Sequence, residues 1–195
     1  MIKFTKQSIA NFLSTLALSI GLCIFISIFI ATPNQVEGIS MLPNFESGDI
    51  IITSKLNKWF ANTEIEKFLN LEYKRGDIIV FQKPLKEDLI KRIIGLPGEK
   101  ISIKSGKVYI NGMELKESYL PSNVITKGGS FLSDNGEPKL IPLDAYIVLG
   151  DNREQSHDSR YLDIGFVKKE WIKGKVIFRY WPLQKIGTIY TGNYN

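Results

Sequence analysis

Two residues in the chain have a type and a setting suited to chemistry, Ser40 and Lys91. Ser40 lies in residues 38–43, Gly-Ile-Ser-Met-Leu-Pro, between a flexible glycine and a proline-fixed turn. Lys91 lies in residues 89–95, Leu-Ile-Lys-Arg-Ile-Ile-Gly, with aliphatic side chains before and after it. A serine hydroxyl becomes a strong nucleophile when a neighbouring base removes its proton. Together the two stretches suggest a nucleophile and its general base.

The apolar setting of Lys91 indicates a lysine with an unusual pKa. Alternation along a strand places Lys91 and Ile93 on one face of the sheet. Ile90 and Arg92 then lie on the other face, so one long cation must either reach solvent or be buried. Burial lowers the pKa of a lysine, and a neutral amine can take the proton of a serine hydroxyl. The alternative is an exposed edge-strand lysine, which discourages aggregation.

Residues 150–160 form a loop with no apolar side chain. A polar run of this length between two strands indicates either turns or a hydrogen-bonded network. Its charged residues could pair with one another and with Arg92: Asp151, Arg153, Asp158 and Arg160. Ser156 could donate a hydrogen bond to the Lys91 amine and hold it in place. The alternative is a solvated loop.

The single histidine and the single cysteine limit the other kinds of site. Cys23 has no partner for a disulfide or a cysteine metal site within one chain, and one histidine excludes a two-histidine metal site. No metal and no cofactor is therefore expected. His157 is the alternative general base, because the unperturbed pKa of histidine already suits that role. It lies in the polar loop, which should leave it solvated, so the sequence favours Lys91.

An apolar segment precedes the Ser40 stretch. Residues 9–31 carry no charge, and a helix of this length spans about 34 Å, enough for a hydrocarbon core of about 30 Å. The alternative is a cleaved signal peptide, but the segment is too long and lacks a good cleavage site. We therefore expect an uncleaved transmembrane anchor at 9–31, with a cytoplasmic tail at 1–8.

The remaining chain is predicted to be mainly β. Short β-branched runs predict strands, and alternation across Ser105-Gly106 predicts a tight hairpin. The predicted strands are residues 49–53, 75–81, 89–95, 101–110 with its hairpin turn, 145–149 and 175–182. The spacing of Ile65, Phe68 and Leu69 predicts a short helix. Residues 116–143 are rich in Gly and Pro and are predicted to be an irregular insertion with room for a small hairpin.

Four stretches, in their order along the chain, resemble the four boxes of bacterial type I signal peptidases. They are residues 38–43, 75–81, 91–99 and 150–160, and an anchor precedes them as in that family. The resemblance extends from the anchor to about Trp181. It implies an all-β catalytic domain of coiled antiparallel sheets at residues 37–195. It also implies that the substrate is a secreted preprotein, cut after a small-x-small motif as it leaves the membrane.

The resemblance also implies roles for individual residues. Ser40 would be the nucleophile and Lys91 the general base, with Ser156 orienting Lys91. Four charged residues would support the site: Arg92, Asp151, Asp158 and Arg160. Some members carry a serine where this chain has Gly38, so the oxyanion would depend on backbone N–H groups, including that of Ser40. Gly38, Met41 and Pro43 are the residues expected to contact the oxyanion or the substrate.

Charge and location define the expected partners. Residues after position 36 carry a small basic excess, which does not indicate nucleic-acid binding. Lys3 and Lys6 favour a cytoplasmic N-terminus, so we expect a single-pass protein of the plasma (inner) membrane with its catalytic domain on the extracytoplasmic face. The partners are then preprotein signal peptides and membrane lipid, with the secretion machinery as a further candidate.

Two other functions compete with this interpretation. A self-cleaving repressor of the SOS type also uses Ser-Lys chemistry, but it would need a DNA-binding head and an internal Ala-Gly site, and the chain contains no Ala-Gly. A membrane-anchored β module that binds peptides without catalysis is the non-enzyme alternative. Cleavage of a preprotein in detergent would separate the enzyme from the module.

The anchor prediction is testable by mass spectrometry. Because the apolar segment lacks a good cleavage site, protein extracted from membranes should still contain residues 1–31. A mature form that begins near residue 32 would show that the segment is a signal peptide.

Overall fold

The computed structural model describes residues 6–61, 63–83 and 87–194. It begins with helix α1 (Lys6–Phe25), which continues as a π-helical turn, Ile26–Ile30. Together they form the one helix in these ranges that is long and apolar enough to cross a membrane, with mean hydropathy 2.5 and no buried residue in that window. The predicted anchor at 9–31 is thus shifted by a few residues. Helix α1 includes residues 6–8 of the predicted tail, and residues 1–5 lie outside the described ranges.

The segment after the anchor is a strand, which the sequence did not predict. Strand β1 (Ala31–Gln35) pairs with β2 (Ile50–Ser54), so Pro33 lies inside a strand. Proline cannot donate a hydrogen bond to a ladder, and β1 accordingly lies at the edge of its sheet. The apolar helix therefore runs directly into the sheet that contains Lys91.

The larger sheet confirms a mainly antiparallel β fold. Besides β1 and β2 it contains β3 (Ile78–Gln82), β4 (Asp88–Gly95), β9 (Ala145–Leu149), β10 (Val167–Lys168), β11 (Ile172–Trp181) and β12 (Gly187–Thr188). Its strand order is β1-β2-β11-β3-β4-β9-β10, with β12 paired to β11, and every pairing is antiparallel. Strand β11 begins three residues earlier than predicted.

A second, four-stranded sheet contains the predicted hairpin. Strands β5 (Lys100–Lys104) and β6 (Lys107–Ile110) are joined by Ser105 and Gly106, both with positive φ, as a tight hairpin turn requires. The sheet is completed by β7 (Met113–Glu114) and β8 (Lys139–Leu140), in the order β7-β6-β5-β8. Residues 116–143 are mostly irregular, as predicted. Their strand β8 pairs with β5, so the insertion forms no hairpin of its own.

Strand alternation sorts the core around Lys91 as predicted. Ile93 packs in a cluster with Ile79 of the neighbouring strand, whereas Ile90 packs on the other face against Ile78. Lys91 lies opposite Ile79 in the β3–β4 ladder. Both faces of this part of the sheet are covered, so a lysine at the centre of β4 is buried.

The helix predicted around residues 65–69 is present, but it presents a different face to the protein. Helix α2 (Leu56–Trp59) precedes helix α3 (Glu64–Phe68), whose Phe68 is 87% exposed, while Glu66 is 4% exposed. Glu66 forms an ion pair with Lys169, at 3.0 Å between Nζ and Oε1. The side of α3 that faces the protein therefore carries a paired charge, which helical periodicity alone could not reveal.

Candidate active site

The turn that carries Ser40 connects β1 to β2, and two of its apolar side chains fix it to the core. Met41 and Phe45 are buried in one core cluster, and Phe45 N–H donates to the Met41 carbonyl at 2.9 Å. This packing leaves the Ser40 side chain half-buried at the surface of the turn. Met41 was expected to contact the oxyanion or substrate; the structure makes it a core residue that also lines the cleft described below.

Lys91 and Ser40 meet although 51 residues separate them. Lys91 Nζ lies 2.6 Å from Ser40 Oγ, within hydrogen-bond distance, and Lys91 is 3% exposed. Burial lowers the pKa of Lys91 to about 8, against the opposing attraction of the Asp158 and Asp151 carboxylates. A substantial fraction of this amine is therefore neutral near physiological pH.

Arg92, the next residue along β4, forms a buried ion pair with Asp151. Arg92 Nε donates to Asp151 Oδ1 at 2.8 Å and Nη2 donates to Oδ2 at 2.7 Å, which is bidentate geometry. Asp151 Oδ2 also accepts from Asn44 Nδ2 at 2.9 Å. Because Asn44 belongs to the turn that carries Ser40, this pair connects β4, the polar loop and the turn.

A second bidentate pair closes the polar loop on itself. Arg160 Nε and Nη2 donate to the Asp158 carboxylate at 2.8 and 2.9 Å, and Asp158 Oδ2 accepts from Gly150 N–H at 3.0 Å. The loop charges were expected to pair with one another and with Arg92, and the structure shows the pairs Asp158–Arg160 and Asp151–Arg92. Arg153, however, pairs with Glu117 of the insertion. Sequence reasoning missed Glu117 because it lies 36 positions away in an irregular segment.

The polar loop is attached to the Ser40 turn by Asn152, a residue that sequence reasoning did not select. Asn152 N–H donates to the Ser40 carbonyl at 3.0 Å, and Asn152 Nδ2 donates to the Ile39 carbonyl at 3.1 Å. A Cβ on Gly150 would overlap Ser156 Oγ and the Ser40 carbonyl, so only glycine permits this approach. The polarity of residues 150–160 marked the loop, but not which amide reaches the turn.

Ser156 lies next to Gly150 in the polar loop and does not make the predicted contact with Lys91. Its Oγ is buried and has no hydrogen-bond partner among the described residues, so the predicted hydrogen bond to Lys91 is absent from the structure. Its orienting role stays a prediction.

Gly38 and Pro43 lie on the exposed side of the turn. Gly38 has a φ of 82°, a conformation that favours glycine. The backbone N–H of Ser40 has no acceptor within residues 6–61, 63–83 and 87–194, and it is therefore free to bind a ligand. Neither Gly38 nor Pro43 lines the cleft.

A cleft of about 340 Å³ opens beside the serine and the lysine. Its walls come from the segment after β1 and from the start of β4, and it includes Ser40, Met41, Val80, Ile90 and Lys91. A larger cavity of about 790 Å³, lined by Tyr73, Tyr146 and neighbouring residues, does not include Ser40 or Lys91. The chemistry-bearing groups thus face the smaller cleft.

His157, the alternative base, lies in a separate set of contacts. His157 Nε2 lies 2.6 Å from Asp163 Oδ2, and its ring stacks on Tyr161. The ring is exposed, as expected, and has no contact with Ser40. The described ranges contain no group of three or more His, Cys, Asp or Glu residues that could hold a metal ion.

A hydroxyl and a buried amine at hydrogen-bond distance are the groups that a Ser-Lys hydrolase requires. A sequence model of the family described as signal peptidase, peptidase S26, matches residues 9–181. Signal peptidase I of Leptolyngbya laminosa is 36% identical over 186 residues, covering 91% of this chain and 82% of the relative. Signal peptidase IB of Staphylococcus aureus (strain COL) is 32% identical over 190 residues, covering 92% and 93%.

The chain therefore belongs to the signal peptidase family, peptidase S26. A crystal structure of a signal peptidase I from Enterococcus faecalis V583 shares 34% sequence identity with it. That comparison covers 53% of this chain and 96% of the other, with a TM-score of 0.44. The family and the apolar N-terminal helix fit a membrane-anchored protein.

Removing the carboxylate of Asp158 should destabilise the protein. Asp158→Ala would leave the buried Arg160 guanidinium without its counter-ion, and we expect a loss of about 3–5 kcal/mol in the free energy of unfolding. Urea unfolding of the detergent-solubilised protein measures it. Glu114→Ala, which breaks the exposed ion pair with Lys107, is the matched control and should change stability little. Equal effects of the two variants would contradict a structural role for the buried pair.

Proposed function

We propose that this protein is a membrane-bound serine endopeptidase that removes N-terminal signal peptides from secreted preproteins, with Ser40 as nucleophile and Lys91 as general base. The observation that carries the proposal is the 2.6 Å separation of Lys91 Nζ and Ser40 Oγ, with the amine buried. Membership in the signal peptidase family supports the same activity.

The proposed reaction proceeds through an acyl-enzyme. Neutral Lys91 takes the Ser40 proton as Oγ attacks the carbonyl carbon of the scissile bond, and the resulting ammonium then protonates the leaving amine. Lys91, neutral again, removes a proton from the water that attacks the ester. The free Ser40 N–H supplies a donor for the oxyanion, with Gly38 permitting the conformation of the turn.

The substrate would bind as an extended strand in the cleft. Strand β4 pairs with β3 from Asp88 to Arg92, but with β9 only from Arg92 onward, so its first residues have one free edge beside the cleft. A peptide can add to such an edge through its backbone. The side chains on the amino-terminal side of the scissile bond would then lie in the cleft, against Met41 and Val80, and the small-x-small preference is the part of this proposal that the family supports.

The anchor would place the site close to the membrane. Helix α1 and its π-helical turn end at Ile30, and strand β1 begins at the next residue. Lys55 Nζ donates to the carbonyls of Ser27 and Ile28, which attaches the end of the anchor to the sheet. With a cytoplasmic N-terminus, a single-pass anchor in the plasma membrane leaves the catalytic domain outside, where preproteins emerge from the secretion machinery.

The peptide-binding module without catalysis is disfavoured. Peptide binding alone does not require a buried amine at hydrogen-bond distance from a hydroxyl. Burying a lysine costs hydration free energy that other interactions must offset. The named relatives are peptidases.

Ser40→Ala and Lys91→Ala should each abolish cleavage of a preprotein in detergent, because each removes one half of the proton-transfer pair. The two residues act as a unit, so the double variant should be no worse than either single variant. Ser122→Ala and Lys104→Ala, at exposed positions, are the matched controls and should retain activity. Near-normal turnover by either site variant would refute the assignment.

The pH dependence should report the Lys91 pKa. The reactive form is the neutral amine, so kcat/KM should fall as the pH drops below about 8, approaching tenfold for each pH unit. His157→Ala should keep both the activity and this limb, because His157 lies away from Ser40. If His157→Ala is as inactive as Ser40→Ala while folded, the Ser-Lys assignment is wrong.

A further inference from the structure

A segment after β12 covers the buried Arg92 from the side away from Asp151. We call residues 189–194 the strap. Arg92 Nη1 donates to the carbonyls of Tyr190 and Thr191 at 3.1 and 3.3 Å, in addition to that of Gly76 at 3.0 Å. The strap therefore supplies two of the three acceptors for this end of the guanidinium.

The strap is held in place by contacts on both sides. Ser118 Oγ accepts from Asn193 N–H at 3.0 Å and lies 3.1 Å from the Tyr190 hydroxyl. The ring of Tyr194 lies 5.8 Å from that of Tyr119, centroid to centroid. The Arg92 guanidinium lies 4.0 Å from the Tyr119 ring centroid, so this ring contacts both the strap and the cation.

Gly76 shows how closely the strap approaches β3. A Cβ at this position would overlap the Thr191 carbonyl and the Tyr194 ring, and the φ of Gly76 is 90°. A glycine that precedes a buried strand thus makes room for backbone from a segment more than 100 positions later. The contact is a specific docking of the strap and needs the absence of a side chain.

A continuous series of contacts runs from the strap to the nucleophile turn. Arg92 holds the Asp151 carboxylate at both oxygens, and Asp151 Oδ2 accepts from Asn44 Nδ2. Asn44 Nδ2 also contacts the Tyr119 carbonyl at 3.3 Å. Phe45, next to Asn44, closes the turn through its hydrogen bond to the Met41 carbonyl. Ser40 is the residue before Met41.

We propose that the strap is a positioning element for Ser40, acting through Arg92, Asp151 and Asn44. A buried guanidinium that lost two acceptors would move to regain them, since unsatisfied buried donors of a charged group are costly. The Asp151 carboxylate and the Asn44 amide would follow, and the Ser40 hydroxyl would no longer be held against Lys91. A small displacement of a nucleophile is enough to slow a reaction by orders of magnitude.

The kinetic test uses variants of the full chain in detergent. Tyr194→Ala removes the ring that holds the strap, and Asn44→Ala removes the last contact before the turn. We expect each variant to lower kcat by about tenfold or more, with KM unchanged, because no strap residue lines the cleft. The double variant should be no slower than the slower single one, since both act along one path. Tyr109→Ala, at a half-buried position of β6, and Asn123→Ala, at an exposed position, are the controls.

A conservative variant separates positioning from general destabilisation. Tyr194→Phe keeps the ring that packs against Tyr119, so this variant should keep the strap docked and retain the wild-type kcat. A wild-type kcat for Tyr194→Ala, a change confined to KM, or multiplying effects in the double variant would each overturn the proposal.

A second measurement does not depend on catalysis. The Asn152 N–H donates to the Ser40 carbonyl, and its hydrogen exchange should accelerate in Tyr194→Ala. The Leu115 N–H, which donates to the Val108 carbonyl in the second sheet, should exchange at the wild-type rate.

The kinetic experiment rests on the proposed function, and a wild-type protein that cleaves no preprotein would count against that function. The exchange arm still decides the strap: an unchanged Asn152 rate would refute it.

Discussion

The burial of the Lys91 amine is the constraint on which the rest of the structure depends. Desolvation lowers its pKa, whereas the Asp158 and Asp151 carboxylates act to raise it. Each carboxylate is held by a bidentate arginine, Arg160 or Arg92, whose positive charge opposes that attraction. The two buried ion pairs therefore hold the polar loop in place. They also fix the carboxylates near Lys91 and balance their negative charges.

The site is assembled from segments that are distant along the chain. The Ser40 turn rests on Met41 and Phe45, Lys91 lies at the centre of β4, and the loop 150–160 attaches to the turn through Asn152. Buried polar groups of this kind are satisfied only when every segment is in place. The site is therefore complete only when the turn, β4 and the polar loop are all in place.

Local patterns predicted the strands well and the side-chain environments unevenly. The turn residues Ser105 and Gly106 located the hairpin. Alternation along β4 left open whether Lys91 is buried or exposed, and the structure buries it. The apolar spacing in α3 predicted the helix but not the side it buries, because that side carries Glu66, whose partner Lys169 lies 103 positions away. Strand β1, which contains Pro33, was not predicted; it lies at the edge of its sheet, where the missing proline N–H costs no ladder hydrogen bond.

The sequence by itself determined the class of the molecule: an apolar anchor, a β domain, and four ordered stretches that carry the serine, the lysine and the charged loop. These features depend on residue type and short-range spacing, which a single chain displays. Only the tertiary structure decided the partners, such as Glu117 for Arg153, Asn152 for the Ser40 carbonyl and the strap for Arg92. The physical reason is that hydrogen bonds and ion pairs act over about 3 Å in space, whereas these partners lie 36 to more than 100 positions apart in sequence.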